Sequence, residues 1–249
     1  MDCNIEKSKE ILMSALHNDA STTVGRYGNR TYNYFSSQYN TYSGGYVPRG
    51  QYIGDMEFQR CRPTEYTYAV FDNVNDSRMW KTFKTVYGIC NNVATPDYVK
   101  AENAPTFGDQ GVLFLLNKKD DTRFRKDEFG RAAIKHTFVN PETGKWVPNV
   151  APVYAEGQYV MNTYGTSAAN RSNMFCGINK TADGSRTGEK GDAHRDVTMA
   201  RVGETYLVKA ECQVRNGDDA GALATINLLR KRAEWKAGED REYYVDGTI

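Results

Sequence analysis

Apolar side chains recur at helical intervals in two neighbouring stretches late in the sequence. Val202, Tyr206, Ala210 and Val214 stand at i, i+4 steps, and Ala222, Ile226, Leu229 and Ala233 form a second set after a polar break. Each set makes one apolar stripe along a helix. Within the break, Asn216-Gly217 supplies a left-handed stop, and Asp218 is placed to cap the second helix. The spacing predicts a helical hairpin from Arg201 to Ala237. Ala210 and Ala222 fall at its crossing and Gly217 at its turn, where a tetratricopeptide-like unit wants small residues. Two helices cannot bury both stripes alone, so the hairpin must stack on something else.

The rest of the chain has shorter patterns. Asn4 to Leu16 reads as an amphipathic helix with Ile5, Leu12 and Leu16 on one side. From Ser21 the helical period disappears, and residues 25–46 are dense in Tyr, Asn, Ser and Gly, which predicts irregular loops. Tyr66 to Phe71 fits a strand or a helical turn equally well. Asp76 is placed to cap a helix whose inner face is Met79, Phe83 and Val86. Gly111-Val-Leu-Phe-Leu-Leu116 is wholly apolar, a buried strand or a core turn. Lys118 to Arg131 is charge-dense, as a solvated surface is. His136 to Val147, folded about Asn140-Pro-Glu-Thr-Gly144, reads as a small β-hairpin that residues 150–154 and 158–161 extend. Asn170 to Asp196 is polar and Gly-rich, a long surface loop.

Charge and composition narrow the function. The 249 residues carry 32 Lys plus Arg against 31 acids, net +1, so no global field recruits nucleic acid or an anionic membrane. No apolar run is long enough to span a bilayer. Met1-Asp2-Cys3 has neither the basic start nor the apolar core of a signal peptide, and no lipobox precedes Cys3. The five cysteines are scattered and odd in number, so buried free thiols are expected for most of them rather than a disulfide framework or a zinc site.

Catalytic and metal chemistry finds little support. Nothing matches a nucleophile elbow, a P-loop or a dinucleotide fingerprint. The three histidines are far apart. Asn179 to Lys190 spaces oxygen-bearing side chains as a calcium loop does, but position 12 is Lys190 and only Asp183 brings a carboxylate to the first nine. A glycosidase needs two carboxylates across a sugar bond, and a chain with 31 acids marks no such pair. No cofactor and no metal are expected.

Non-covalent recognition remains. Seventeen tyrosines outnumber the ten Phe and three Trp, and tyrosine joins a flat apolar ring to a polar rim. Six of them lie in residues 27–46, interleaved with Asn and Arg, as in binding loops. A sugar stacks its C–H face on such rings and takes hydrogen bonds from amide and guanidinium groups. The candidate ligand contacts are Tyr32, Tyr34, Tyr39, Tyr42, Asn33 and Arg30, with Trp80 and Trp146 as further platforms, Trp80 being better explained by packing. Peptide binding would use the same tyrosines. The bland alternative is that Tyr-rich loops merely cover a core.

The sequence resembles one family. Arg201-x-x-Glu204-x-Tyr206-Leu207-x-x-Ala210-Glu211, then Ala222-x-x-x-Ile226-Asn227-x-x-Arg230-x-Arg232-Ala233, is similar to the C-terminal signature of the SusD/RagB family. Phe71-Asp72 followed by Asn75-Asp76-Ser77-Arg78 resembles its Asp-x-Arg segment. Gly203 and Cys212 stand where that family usually has alanine. The resemblance implies a mainly α fold of tetratricopeptide-like helical hairpins with an irregular loop-rich region and a few short strands. It divides the chain into a loop-rich middle region, residues 1–200, and a truncated signature hairpin, 201–249. It implies a surface nutrient-binding lipoprotein of the Bacteroidetes outer membrane, not an enzyme. Such a protein captures oligosaccharide, or alternatively peptide, for a SusC-like TonB-dependent transporter. Family members carry several hairpins before the middle region and more sequence after the signature. The chain therefore reads as a fragment without the lipidated N-terminus that would anchor it to the membrane and without the C-terminal tail. A glycan-cleaving enzyme and a tetratricopeptide scaffold are the competing classes.

Overall fold

The apolar run at 111–116 becomes the centre of the core. In a computed structural model, which describes residues 8–17, 29–50, 57–72, 75–126, 132–133, 138–161, 175–183, 193 and 195–237, it forms the middle of a three-stranded sheet. The described strands, in chain order, are β1 (Ile11–Ala15), β2 (Phe83–Lys84), β3 (Val86–Gly88), β4 (Gln110–Leu115), β5 (Arg125–Lys126), β6 (Ala132–Ala133), β7 (Asn149–Pro152), β8 (Tyr154–Ala155), β9 (Gln158–Tyr159), β10 (Gly177–Ile178) and β11 (Val197–Arg201). The helices are α1 (Thr31–Tyr34), α2 (Tyr39–Tyr42), α3 (Glu65–Ala69), α4 (Arg78–Thr82), α5 (Val202–Arg215) and α6 (Asp219–Ala233), with a 3-10 turn at Ala101–Asn103.

Strand β4 pairs antiparallel with β3, Tyr87 opposite Val112, and parallel with β7, Leu115 opposite Pro152. Val112 to Leu116 are all buried. A strand covered on both faces has no reason to alternate, which explains the unbroken apolar run. Pro152 sits on an edge strand, where a missing N–H costs no ladder bond. Aromatic rings pack round the sheet: Tyr39 stacks on Tyr87 at 4.6 Å, and Phe83 meets Tyr68 at 5.4 Å and Phe71 at 5.5 Å. The turn at 140–144 closes as expected, with Gly144 N–H donating to the Asn140 carbonyl and a bridge between Val139 and Trp146. Residues 150–154 do not extend that hairpin. They join β4 instead, and β8 and β9 pair with each other.

Other expectations are corrected as well. The fold is not mainly α: the described residues hold eleven short strands in five small sheets, and every described α-helix outside residues 202–233 is a single turn of four or five residues. Helical periodicity is sustained only in the hairpin, and elsewhere the core is organised by β4 and its partners. The predicted helix over 4–16 is also not formed in its described part. Residues 11–15 are strand β1, paired antiparallel with β11. A partner nearly two hundred residues away overrides the local amphipathic pattern, as long-range pairing often does. Residues 1–7 lie outside the described part. Among the four described cysteines only Cys176 is fully buried, and Cys61 and Cys212 are exposed.

The helical hairpin forms as its pattern predicts. Asp218 Oδ1 accepts the Gly221 N–H at 2.9 Å, an N-cap, and Gly217 adopts φ +78° at the turn. Small side chains fill the crossing: Ala210, Ala222 and Thr225 are buried, and the Thr225 hydroxyl donates to Gln213 Oε1 at 2.7 Å. Larger apolar residues do not follow them. Leu207, Val208, Val214, Leu223 and Leu228 are exposed.

Two glycines should respond oppositely to alanine. A Cβ on Gly111 would meet Val47 Cγ2 at 2.7 Å and Ile89 Cγ1 at 3.0 Å. Gly111→Ala should therefore destabilise by about 1–3 kcal/mol through overpacking. A Cβ on Gly203, in the first turn of α5, meets nothing within 4 Å. Gly203→Ala should stabilise by about 0.5–1 kcal/mol by removing helix-disfavouring backbone freedom. Urea unfolding of the two variants beside the parent checks both signs.

Candidate functional site

The Tyr-rich loop is tied down by backbone. Asn29 starts it: its N–H donates to the Ala193 carbonyl at 2.7 Å, its Nδ2 to the Arg195 carbonyl at 3.1 Å, and its Oδ1 accepts the Thr31 N–H at 2.8 Å. The Asn33 carbonyl accepts from Phe58 N–H, and the Tyr34 carbonyl from both Arg60 and Cys61. Two one-turn helices, α1 and α2, lie within the loop.

The six candidate residues go to different places. Tyr39 is 0% exposed, with one ring face stacked on Tyr87, and Tyr32 and Asn33 are also buried. The Asn33 amide nitrogen has no hydrogen-bond partner among the described residues. Tyr42 is half-buried, and its hydroxyl donates to the Val150 carbonyl at 3.1 Å, pinning α2 to β7. Tyr34 is 41% exposed with its ring tilted against Phe58 at 5.8 Å, and Arg30 is exposed. The outward side of the loop thus presents Arg30 and Tyr34, while Tyr32, Asn33 and Tyr39 form its underside. Tyr27 lies outside the described residues.

Trp80 and Trp146 are both buried. Trp146 takes Tyr46 and Tyr98 edge-on at 6.2 and 6.0 Å. Burial raises the Tyr46 hydroxyl pKa above its ordinary value, with Tyr98 adding to it. Exposed aromatic rings also occur where composition did not point. Tyr66 is 76% exposed, and Tyr98 and Phe107 face solvent as well. Tyr66 had a readable signal: Thr64 and Thr67 form a capping box, and residues two apart on the resulting turn face opposite ways, sending Tyr68 inward and Tyr66 outward. Near Tyr68 a hollow of about 350 Å³ is lined by Phe71, Asn117 and Tyr154 among others, at the lower end of ligand-sized pockets. Burial, and then Glu65, raise the Tyr154 hydroxyl pKa.

Among the described residues no group of three or more His, Cys, Asp or Glu could hold a metal ion, and most of the calcium-like segment, 184–190, lies outside them. No described helix is long and apolar enough to cross a membrane.

The two segments that carry the family resemblance meet in space. Ser77 N–H donates to the Ala233 carbonyl at 2.8 Å, Trp235 N–H to the Asn75 carbonyl at 2.7 Å, and Asp76 bridges antiparallel to Glu234. Asp76 Oδ1 accepts both the Arg78 N–H and its Nε, each at 2.9 Å. Partial burial works to raise the Asp76 pKa, but the hydrogen bonds and charge of Arg78 outweigh it and hold the carboxyl below the usual range. This is a docking device for the C-terminal end of α6.

A family model described as "SusD family" matches residues 9–248, nearly the whole chain. The chain belongs to the SusD family. Comparison with curated proteins and with solved structures found no match.

The sign of the Asp76 contribution can be worked out. A carboxyl whose folded pKa is depressed stabilises the fold above its unfolded value, about 3.9, and loses that contribution as pH falls through the lower folded value. The Arg78 partner is half-exposed, so the effect is modest. Asp76→Ala should cost about 1 kcal/mol at pH 7. Urea titrations of parent and variant should converge as pH falls below about 4.

Proposed function

We propose that this member of the SusD family captures nutrient oligosaccharides at the cell surface by non-covalent binding and breaks no bond. The match over residues 9–248 carries the reading. On this reading the protein is held at the outer membrane of its cell as a lipid-anchored, surface-exposed protein. It passes its ligand to a SusC-like TonB-dependent transporter.

The loop of residues 27–46 is the proposed ligand surface. Arg30 and Tyr34 are both exposed and supply a guanidinium and an aromatic ring, which suit a sugar's hydroxyls and its C–H face. Tyr42 contributes its open edge. Tyr32, Asn33 and Tyr39 act from beneath, holding the loop in shape rather than meeting the ligand face-on. Stacking and hydrogen bonding of this kind give modest affinity per sugar, so an extended chain engaging several contacts is the fitting ligand.

The test is affinity electrophoresis of the full-length protein in gels containing soluble polysaccharides. One glycan should retard migration. Tyr34→Ala and Arg30→Ala should weaken that retardation at least several-fold with unfolding midpoints unchanged. Tyr39→Ala should instead destabilise by about 3–5 kcal/mol, as loss of a buried aromatic ring does. Retardation unaffected by Tyr34→Ala and Arg30→Ala would keep the function and move the site. Retardation by no glycan, with binding to oligopeptides, would replace sugar by peptide as the cargo.

A further inference from the structure

A second candidate site lies far from the Tyr-rich loop in sequence. It is a cleft of about 880 Å³ between α4 and the helical hairpin, within the size range of ligand pockets. Its lining is electrostatically one-sided. Arg78 and Lys81 come from α4, Arg195 precedes β11 and Arg201 ends it, and Arg230 and Arg232 come from α6. Lys180 adds to the set, and Glu204 is the sole acid among the described lining residues. In a chain of net charge +1, this is strong local segregation.

Part of that charge is compensated from the rim. Arg78 pairs with Asp76, Arg232 with Glu10 at 2.7 Å, and Arg201 approaches Glu204 at 3.9 Å. Arg195 gives one guanidinium nitrogen to the Ala182 carbonyl at 2.9 Å. The side chains of Lys180 and Arg230 make no hydrogen bond or ion pair among the described residues. Desolvation, and then the charges of Arg201 and Arg78, push the Lys180 amine below the ordinary lysine value. An anion placed there would relieve that repulsion.

The uncharged lining adds a second character. Leu207, Ile226 and Leu229 give the cleft an apolar side. Thr82, 7% exposed, lies in the lining, and its hydroxyl has no partner among the described residues. Among the described lining residues there is no aromatic ring, and so none of the stacking platforms that single-stranded nucleic acids use. Spaced anions on a scaffold with C–H faces and hydroxyls fit this lining better.

We propose that the cleft between α4 and the helical hairpin binds an acidic saccharide through its carboxylate or sulfate groups, with Lys180 and Arg230 as the main anion contacts. This rests on the capture function proposed above and narrows its cargo to charged glycans. Binding here is driven by charge, so it weakens with added salt, unlike stacking on Tyr34.

Calorimetric titration of the full-length protein tests it with matched ligands. One pair is an oligogalacturonate and its methyl ester, and the other is a sulfated and an unsulfated dextran oligosaccharide. Poly-glutamate serves as an acidic peptide. At least one acidic saccharide should bind at least tenfold more tightly than its neutral partner, and which pair responds identifies carboxylate or sulfate. Lys180→Gln combined with Arg230→Gln should weaken it at least tenfold while the melting temperature stays within a degree or two of the parent. Equal affinity for neutral and acidic forms, or an unaffected double variant, overturns the cleft assignment and leaves glycan capture standing. Poly-glutamate binding as tightly as the acidic saccharide overturns the choice of saccharide. Binding of no saccharide by the full-length protein overturns both readings.

Discussion

The helical hairpin cannot bury its own apolar surface, and the way it is fastened follows from that constraint. Its closed interior admits only small side chains, Ala210, Ala222 and Thr225. Burial of that little surface contributes little, since apolar burial scales with area. The fastening is therefore polar and concentrated at the open end. Residues 75–77 run antiparallel to 233–235, and Val202 N–H donates to the Glu10 carbonyl at 2.8 Å. Arg232 reaches Glu10 by its side chain as well. The family signature is thus legible as mechanics: Asp76 and Arg78 stiffen the strand-like stretch that receives the end of α6.

Tyrosine plays a different part in the body of the protein. Its ring goes inward and its hydroxyl finishes on a backbone group, as with Tyr42 on Val150 and Tyr46 on Ala94. Tyr68 accepts the Cys176 N–H in the same manner. A small sheet with many loops leaves backbone groups without ladder partners, and a buried polar group without a partner is costly. Phenylalanine would fill the volume and leave those groups unpaired. Much of the tyrosine excess is therefore explained by loops packed on a core, with Tyr34, Tyr66 and Tyr98 as outward exceptions among the described residues.

What could be read from the sequence was what is local. The hairpin, with its cap at Asp218 and its turn at Gly217, depends on residues within a few positions of each other, and so does the turn at 140–144. Strand β4 was legible as a buried apolar run, although not its partners. Strand β1 was missed because its pairing with β11 is set by residues far along the chain, and the parallel partner β7 was missed for the same reason. The mainly α expectation extended the hairpin's character to stretches whose helices stop after one turn. For the loop, composition located aromatic density correctly but could not say which ring faces outward. At Tyr32, Asn33 and Tyr39 that is decided by Tyr87 and the packing beneath. The cationic cleft had no sequence signal, because its charges are spread from Arg78 to Arg232 and only the fold collects them.

That collection has a cost, and the fastening of the hairpin meets it. Like charges held within a few ångströms repel, and each must also be partly stripped of water. Asp76 and Glu10 each offset one arginine of the cleft, and both also belong to the contacts that attach the hairpin. The same contacts that hold α6 against α4 therefore set Arg230 and Arg232 opposite Arg78 and leave Lys180 among positive charges that are only partly compensated. Structural attachment and anion affinity are two results of one arrangement. Among the described residues the Lys180 and Arg230 side chains keep no hydrogen-bond or ion-pair partner, which is the arrangement that a site for acidic ligands needs.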